Sequence, residues 1–433
     1  MESDVSLKQF KKFPPLMWIL LFGAFITRGS YYMVWPFLSV ILYNKFGISA
    51  TEVGSILTFA ALISVFVGFI GSTLSDQYGR KNVMYFSGVL YIVAFTLLAT
   101  AETIIGYMVV ITMCSIATEI WRPAVSALIG DIIDESQVRE LAMQSLYFMV
   151  NAGCAIGPMI GLWLGMSGTS ESFYITAIAF VIFLVILIFG FRSLPSSDKS
   201  IESQSEVDDE NLGFNLKAKN NVAKEDNNKF SNILKILMRD RLLQCLILAN
   251  IICMFIYGQM DSTLIQYLTR AEVPQLLKLI SSMIFTNAMV IICSQFLLLK
   301  LMSKIPLVKR IQLGLFLLTI SQVWMAFNPV ALFWGWIGAV VIMSLAETIL
   351  FPTMNVHIDR IAPNHLRGAY FGATSFYSLG FALAPLGGGY ILDKLDGGWV
   401  YLVCTLLCAI VIYLYSILEK LSRPDFEPST QSS

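Results

Sequence analysis

The sequence predicts an all-α membrane protein, with twelve transmembrane helices in two pseudo-symmetric six-helix bundles, on three observations. Of its 433 residues 56 % are hydrophobic and only 13 % are charged, with a mean hydropathy of +0.71, whereas a soluble domain carries about a quarter of its residues charged. The apolar residues gather into about twelve runs of roughly 20 residues, each long enough to cross about 30 Å of hydrocarbon. The two halves of the chain also repeat one another at an offset of about 228 residues. The 29 basic and 29 acidic residues cancel, and with no basic face nucleic acid is not an expected partner.

In chain order the runs lie at approximately 15–43, 51–73, 82–100, 105–130, 139–167, 172–192, 242–268, 276–301, 306–326, 331–358, 366–392 and 398–418. Each is expected to be a helix, because lipid offers no partner for backbone groups and the runs lack the alternation of barrel strands. The first run is too long for a cleavable signal peptide, and no small-residue cleavage site follows it. Residues 1–192 thus form an N-terminal six-helix bundle and 230–420 a C-terminal one. Between them, 193–229 turns to Ser, Asn, Asp, Glu and Lys, the composition of a flexible cytoplasmic linker, and 421–433 is a cytoplasmic tail. After the linker, Phe230, Ile233, Leu234 and Leu237 recur at helical spacing around Lys235 and Arg239. This suits either a short helix on the membrane surface or an ordinary start to the seventh span.

Basic residues set the orientation. With the N-terminus inside, the inner loops hold Lys8, Lys11, Lys12, Arg80, Lys81, Arg139, the basic residues from Arg192 to Arg241, Lys300, Lys304, Lys309, Arg310, Arg360, Arg367, Lys420 and Arg423. The outer loops hold only Lys45, Arg270, Lys278 and Lys394. Both termini are therefore expected in the cytoplasm, and the protein in a bacterial plasma (inner) membrane. Cys114, Cys154, Cys245, Cys253, Cys293, Cys404 and Cys408 all lie in apolar runs without a C-x-x-C pair. They read as small buried hydrophobes, so neither a disulfide framework nor a metal site is indicated.

The repeat is visible in particular residues. Arg122-Pro123 is followed by Asp131, Arg139 and Gly157-Pro158-x-x-Gly161; Phe351-Pro352 is followed by Asp359, Arg367 and Ala384-Pro385-x-Gly387-Gly388-Gly389. Glu119 and Glu347 are separated by the same offset. Two such halves about an axis along the membrane normal leave a central cavity, a geometry suited to alternating access. One chain then encloses its own cavity, so a monomer is the expected functional unit.

The loop after the second span reads Gly71-Ser-Thr-Leu-Ser-Asp76-Gln-Tyr-Gly79-Arg80-Lys81. Gly79 permits a tight turn, Asp76 can face a helix N-terminus, and Arg80 can face a carboxylate such as Asp131, pairings that hold one conformation and break in another. The loop resembles the G-x-L-x-D-R-x-G-R-K signature of the major facilitator superfamily, with Gln77 in place of the usual basic residue. The second half keeps only the charge, at Lys304 and Lys309-Arg310. On the fifth span, Gly153-x-x-x-Gly157-Pro158-x-x-Gly161 lets helices approach closely, and it resembles the motif of proton-coupled antiporters in that superfamily, with Leu162 departing from the last glycine. Arg122-Pro-Ala-Val-Ser126, Gln259-Met-Asp261-Ser-Thr-Leu and Ala346-Glu347-Thr-Ile-Leu-Phe-Pro352 are similar to stretches of bacterial multidrug exporters of the MdtH and LmrP type. The arginine such exporters carry midway along the fourth span is absent, where Met113 and its neighbours are uncharged, and Gln144 stands near their acidic position in the fifth.

Ionisable groups inside the hydrocarbon cost about 2.5–3.5 kcal/mol each and are functional candidates. They are Arg28, Glu119, Arg122, Asp261 and Glu347, on spans 1, 4, 7 and 10, which in the superfamily line the cavity. Asp261 and Glu347, with Glu119, can load a proton from one side and release it to the other, and the first two match acidic positions of the LmrP type. A plain i,i+3 packing pair of Glu119 with Arg122 is the alternative for those two residues. Arg28, in Thr27-Arg28-Gly29-Ser30-Tyr31-Tyr32, can pair with Asp261 or Glu347 or hold an anionic group. Arg28, Tyr32, Arg122, Tyr257 and Met260 are the candidate substrate contacts. Trp35, Tyr147, Phe148, Met254 and Phe371, near the same helices, suit planar amphiphiles. His357 and His365 mark the inner end of span 10 and the loop beyond.

The resemblance implies a proton-coupled exporter of small amphipathic compounds, with protons as coupling ion and no cofactor. The alternative is a proton-linked symporter or a lipid flippase with an anionic substrate at Arg28, since lipid-flipping members of the superfamily carry similar Arg-Gly pairs. An enzyme is not expected, as neither a Walker nor an H-E-x-x-H pattern is present.

Overall fold

In a computed structural model the chain is described over residues 10–165, 169–192, 236–302, 304–363, 370 and 373–423. The side chains of 68–77, 136, 170, 296, 299, 359 and 419 are not included. The linker 193–229, Phe230, Ile233, Leu234, Lys235, His365, Arg367, Phe371 and the tail beyond Arg423 lie outside the described residues, as do the side chains at Gly71, Asp76 and Asp359.

Every described element is helical. The first half comprises α1 (Pro15–Tyr32), α2 (Leu38–Phe46), α3 (Ala50–Tyr78), α4 (Arg80–Thr100), α5 (Ile104–Ile132), α6 (Ser136–Trp163) and α7 (Ser170–Arg192). The second comprises α8 (Arg241–Gly258), α9 (Thr263–Arg270), α10 (Leu276–Met302), α11 (Leu307–Phe327), α12 (Phe333–Ile361), α13 (Tyr377–Lys394) and α14 (Gly397–Ile417). Fourteen helices make twelve spans because two predicted spans are broken. The sequence reading took the first and seventh as continuous; in the structure α1 and α2 are joined through a 3-10 turn, Trp35–Phe37, and α8 and α9 through Gln259–Ser262. A 3-10 turn at Thr374–Phe376 leads into α13, and the predicted start of the eleventh span, at 366, lies outside the described residues.

Among the described residues eleven segments are long and apolar enough to cross a membrane, α1 with α2 and α8 with α9 each counted as one. The twelfth, α13, falls short because glycines and a terminal Asp393-Lys394 dilute its apolar residues. Packing places it: α13 lies against α3 and α8. Large apolar side chains such as Phe66, Phe86, Ile105, Phe189 and Phe316 have more than half of their surface exposed, a pattern that suits contact with lipid.

Local chemistry fixes the ends. Ser49 and Glu52 form a capping box at the start of α3, Thr103 caps α5 through the Gly106 amide at 3.1 Å, and Gly79, at φ +80°, turns the chain between α3 and α4. Asp240, fully buried, caps α8 through the Leu243 amide at 3.1 Å. It also accepts from the Tyr370 hydroxyl and from Arg423 at 3.1 Å, and that guanidinium donates further to the Ile361 carbonyl at 2.7 Å.

Between apolar helices in lipid, close approach replaces hydrophobic burial as the driving force. A Cβ at Gly153 would stand 2.7 Å from the Phe25 carbonyl oxygen, and one at Gly157 only 2.1 Å from that of Gly29. The glycine face of α6 is therefore spent on α1. In the second half Gly380 plays the same part, with its Cβ position 1.9 Å from the Ile251 carbonyl oxygen of α8. Pro123, Pro158, Pro352 and Pro385 interrupt the ladders of α5, α6, α12 and α13.

The halves meet along two seams, α3 with α13 and α6 with α10. In the first, Gly54 packs on the Pro385 carbonyl, Gly389 on that of Ala50, and the Leu386 amide donates to Thr58 Oγ1 at 3.2 Å. In the second, Ser281 Oγ donates to the Pro158 carbonyl at 3.3 Å. Both seams lie toward the predicted outer face.

Candidate functional site

The break between α8 and α9 is built by a buried amide. The Gln259 side chain donates to the Phe255 carbonyl at 3.1 Å and to the Ala384 carbonyl of α13 at 3.3 Å, and it accepts from Thr263 Oγ1 at 2.6 Å. Around it the i→i−4 ladder gives way to i→i−3 bonds from Gln259 and Met260 and an i→i−5 bond from Leu264. Gly388 faces this arrangement because a Cβ there would stand 2.0 Å from Gln259 Oε1. The consequence is functional. Asp261 sits in the break instead of on a helix face, and its side chain is exposed. It lies within electrostatic reach of Tyr32 and Cys154 of the first half and of Tyr257 and Glu347 of the second. Exposure among those neighbours is exposure to the space between the halves.

Glu347, half-buried on α12, is held by two donors on one oxygen. The Tyr257 hydroxyl donates to Oε2 at 2.8 Å and Asn287 Nδ2 at 2.9 Å. Asn287, on α10, is also 3.0 Å from Ser344 Oγ. Sequence reasoning missed Asn287 because it searched the membrane for charge, and a neutral amide escapes that search. An isolated Asn within the apolar eighth run was the signal available. From across the space, exposed Tyr147 of α6 comes within electrostatic reach of Glu347.

Arg28 lies on the opposite wall. Its guanidinium is 5.6 Å from the centre of the Tyr31 ring, and among the described residues it makes no ion pair with a carboxylate, Asp261 and Glu347 included. Tyr32 and Cys154 stand within electrostatic reach of each other and of both Arg28 and Asp261. One wall thus offers a cation over an aromatic ring and the other offers two carboxylates, with a phenol and a thiol between them.

The remaining predicted residues separate from this centre. Glu119 and Arg122 make the i,i+3 pair at 3.6 Å, with Arg122 largely exposed. Met260 does not face the space expected of it. It is 5 % exposed and packs in the core of the second half, because the break rotates it away from the stripe that an unbroken helix would present. In the loop signature, Arg80 Nε is 2.7 Å from Asp131 Oδ2, and Lys81 lies 5.9 Å from the Tyr85 ring. Pro158 and Gly161 are buried in α6.

The comparisons agree with this architecture. A transporter named YqjV from Bacillus subtilis (strain 168), described as an uncharacterized MFS-type transporter, is 26 % identical over 420 residues, covering 96 % of this chain and 93 % of its own. A protein of Planococcus maritimus named as a Na(+), Li(+), K(+)/H(+) antiporter is 24 % identical over 388 residues, covering 85 % of this chain and 87 % of its own. The crystal structure of a POT family transporter in complex with 5-aminolevulinic acid superposes with a TM-score of 0.72 at 16 % identity, covering 93 % of this chain and 95 % of that one. Residues 20–378 match the Major Facilitator Superfamily, and the chain belongs to that family of membrane transporters.

Proposed function

We propose that the protein is a proton-coupled secondary transporter that exports small amphipathic compounds by alternating access. The observation that carries this is the carboxylate pair. Asp261 stands in a helix break open to the space between the halves, and Glu347 is held beside it by Tyr257 and Asn287. A carboxylate whose hydration changes as one side closes and the other opens can exchange its proton and its substrate on opposite sides. The antiporter name of the Planococcus relative supports exchange against protons. Exposed Tyr147 and half-buried Tyr32 and Tyr257 supply faces for planar compounds. In this reading protons are the coupling ion, the protein works as a monomer, and it resides in a bacterial inner membrane with both termini in the cytoplasm.

Arg28 favours a second reading, a symporter or lipid flippase with an anionic substrate, because its charge meets no carboxylate among the described residues. One experiment separates the two. In proteoliposomes with a pH gradient imposed in either direction, a fluorescent planar cation is expected to move against the proton flow and to stop in Asp261→Asn and Glu347→Gln. Movement of an anionic amphiphile alone, abolished in Arg28→Ala, would replace the first reading with the second.

A further inference from the structure

A helix begins with four backbone N–H groups that have no acceptor in their own helix. For α3 these belong to Ser49, Ala50, Thr51 and Glu52, the first internal bond running from Val53 to the Ser49 carbonyl. The capping box satisfies two of them: the Ser49 amide donates to Glu52 Oε2 at 2.8 Å, and the Glu52 amide to Ser49 Oγ at 3.1 Å. The other two turn to a residue of the opposite half. The Ala50 amide donates to Asp393 Oδ1 at 2.9 Å and the Thr51 amide to Oδ2 at 2.7 Å, and the Thr51 hydroxyl adds a third bond to Oδ2 at 2.6 Å.

A second residue from the same half reaches the same place. Arg270, at the end of α9, donates to the Ile48 carbonyl at 2.9 Å, and its guanidinium lies 4.5 Å from the Tyr43 ring. The stretch from Tyr43 to Thr51 is therefore held from the second half at two points, one anionic and one cationic. Beneath them the seam is closed backbone to backbone at Gly54 and Pro385.

We infer that Asp393 and Arg270 are gate residues of the transport cycle, forming a two-point latch in which Asp393 supplies from one half the missing part of the helix cap of the other. The latch holds the predicted outer face shut in the conformation seen here. It rests on membership of a transporter family and not on the direction or coupling of transport proposed above. Opening transfers two amides, a carboxylate and a guanidinium to water, where each is again satisfied, so the latch biases the equilibrium without fixing it.

Hydrogen exchange measured by mass spectrometry on the full chain in nanodiscs, at one pH, tests this. Asp393→Ala and Arg270→Gln are each expected to speed exchange in segments 43–58 and 380–395 by about tenfold, the scale on which a lost N-cap acts. They are also expected to slow it at 78–82 and 132–138 on the other face, which closes as the outer face opens. Faster exchange confined to Ala50 and Thr51 would reduce Asp393 to a local cap, and unchanged exchange in both variants would remove the latch altogether. Independently, Thr51→Cys with Asp393→Cys should form a disulfide that stops transport on oxidation and releases it on reduction. Undiminished transport with the cross-link complete would overturn the assignment.

Discussion

The seams α3/α13 and α6/α10 occupy equivalent places in the two-fold repeat, yet they are made of different materials. In the first, backbones touch at Gly54 and Gly389, and a carboxylate bridges the ends. In the second, among the described residues, the Ser281 hydroxyl reaches a carbonyl at 3.3 Å. The second seam spends its polar residues inward instead: Asn287 of α10 binds Glu347. Pseudo-symmetry of the fold has left one seam to close a face and the other to hold a carboxylate in place.

The sharpest way to break this contrast is to add bulk in each seam. Gly54→Val places a methyl-bearing Cβ about where the Pro385 carbonyl now stands, 2.2 Å away, an overlap that costs about 3 kcal/mol or more unless the seam opens. Transport in proteoliposomes should fall by more than about tenfold, while Ser282→Val in the second seam stays within about threefold; equal losses would abolish the contrast. Next in size, Asn287→Ala removes a donor to a charged oxygen, worth about 1.5–3 kcal/mol. It should slow gradient-driven transport by about tenfold without altering the spacing of spin labels across the α3/α13 seam.

In the first seam acid should act through Asp393. Burial pushes the Asp393 carboxyl up, but the Thr51 hydroxyl, the Thr51 and Ala50 amides and the Arg270 charge outweigh it and hold the group below the usual aspartate range. A carboxylate depressed in the closed form contributes to closure fully above its ordinary pKa of about 3.9, and the contribution is lost as pH falls through the depressed value. With Asp261→Asn and Glu347→Gln removing the coupling carboxylates, pulsed spin-label distances between Asn44 and Leu395 should therefore stay constant from about pH 8 to pH 5 and lengthen only in stronger acid; lengthening near neutrality would mean that another group carries the closure. The smallest effect is expected of Ser281→Ala. A single bond at 3.3 Å, near the limit of hydrogen-bond length, should leave transport within about twofold of the parent.

Hydrophobic run length was enough to lay out the spans, since lipid imposes helix on any run of that length. The span holding α13 was read in the same way, from the apolar run 366–392, and its Pro385 and glycines gave it a counterpart in Gly157 and Pro158. The break between α8 and α9 was not legible, because it is a tertiary event: Gln259 looks like an ordinary polar residue until the Ala384 carbonyl of another helix accepts its hydrogen bond. Met260 was misplaced for the same reason, helical spacing having been carried through a break. Tyr257 and Glu347 were each visible as polar residues in apolar runs, whereas the bond between them spans 90 residues and leaves no local trace. Asp393 escaped notice for the opposite reason. A charge at the end of a span is unremarked in any membrane protein, and only the two amides that meet it give it meaning.

The buried Asp240 carries a consequence for biosynthesis. Its cation, Arg423, lies 183 residues further along the chain, beyond the last span. A ribosome feeding this protein into a bilayer therefore makes an acid at the foot of α8 long before it makes the base that neutralises it. Folding of the second half cannot be completed span by span, and a nascent chain that stalls or terminates before Arg423 carries an uncompensated acid in its core, a cost of several kcal/mol that marks unfinished molecules for proteolysis.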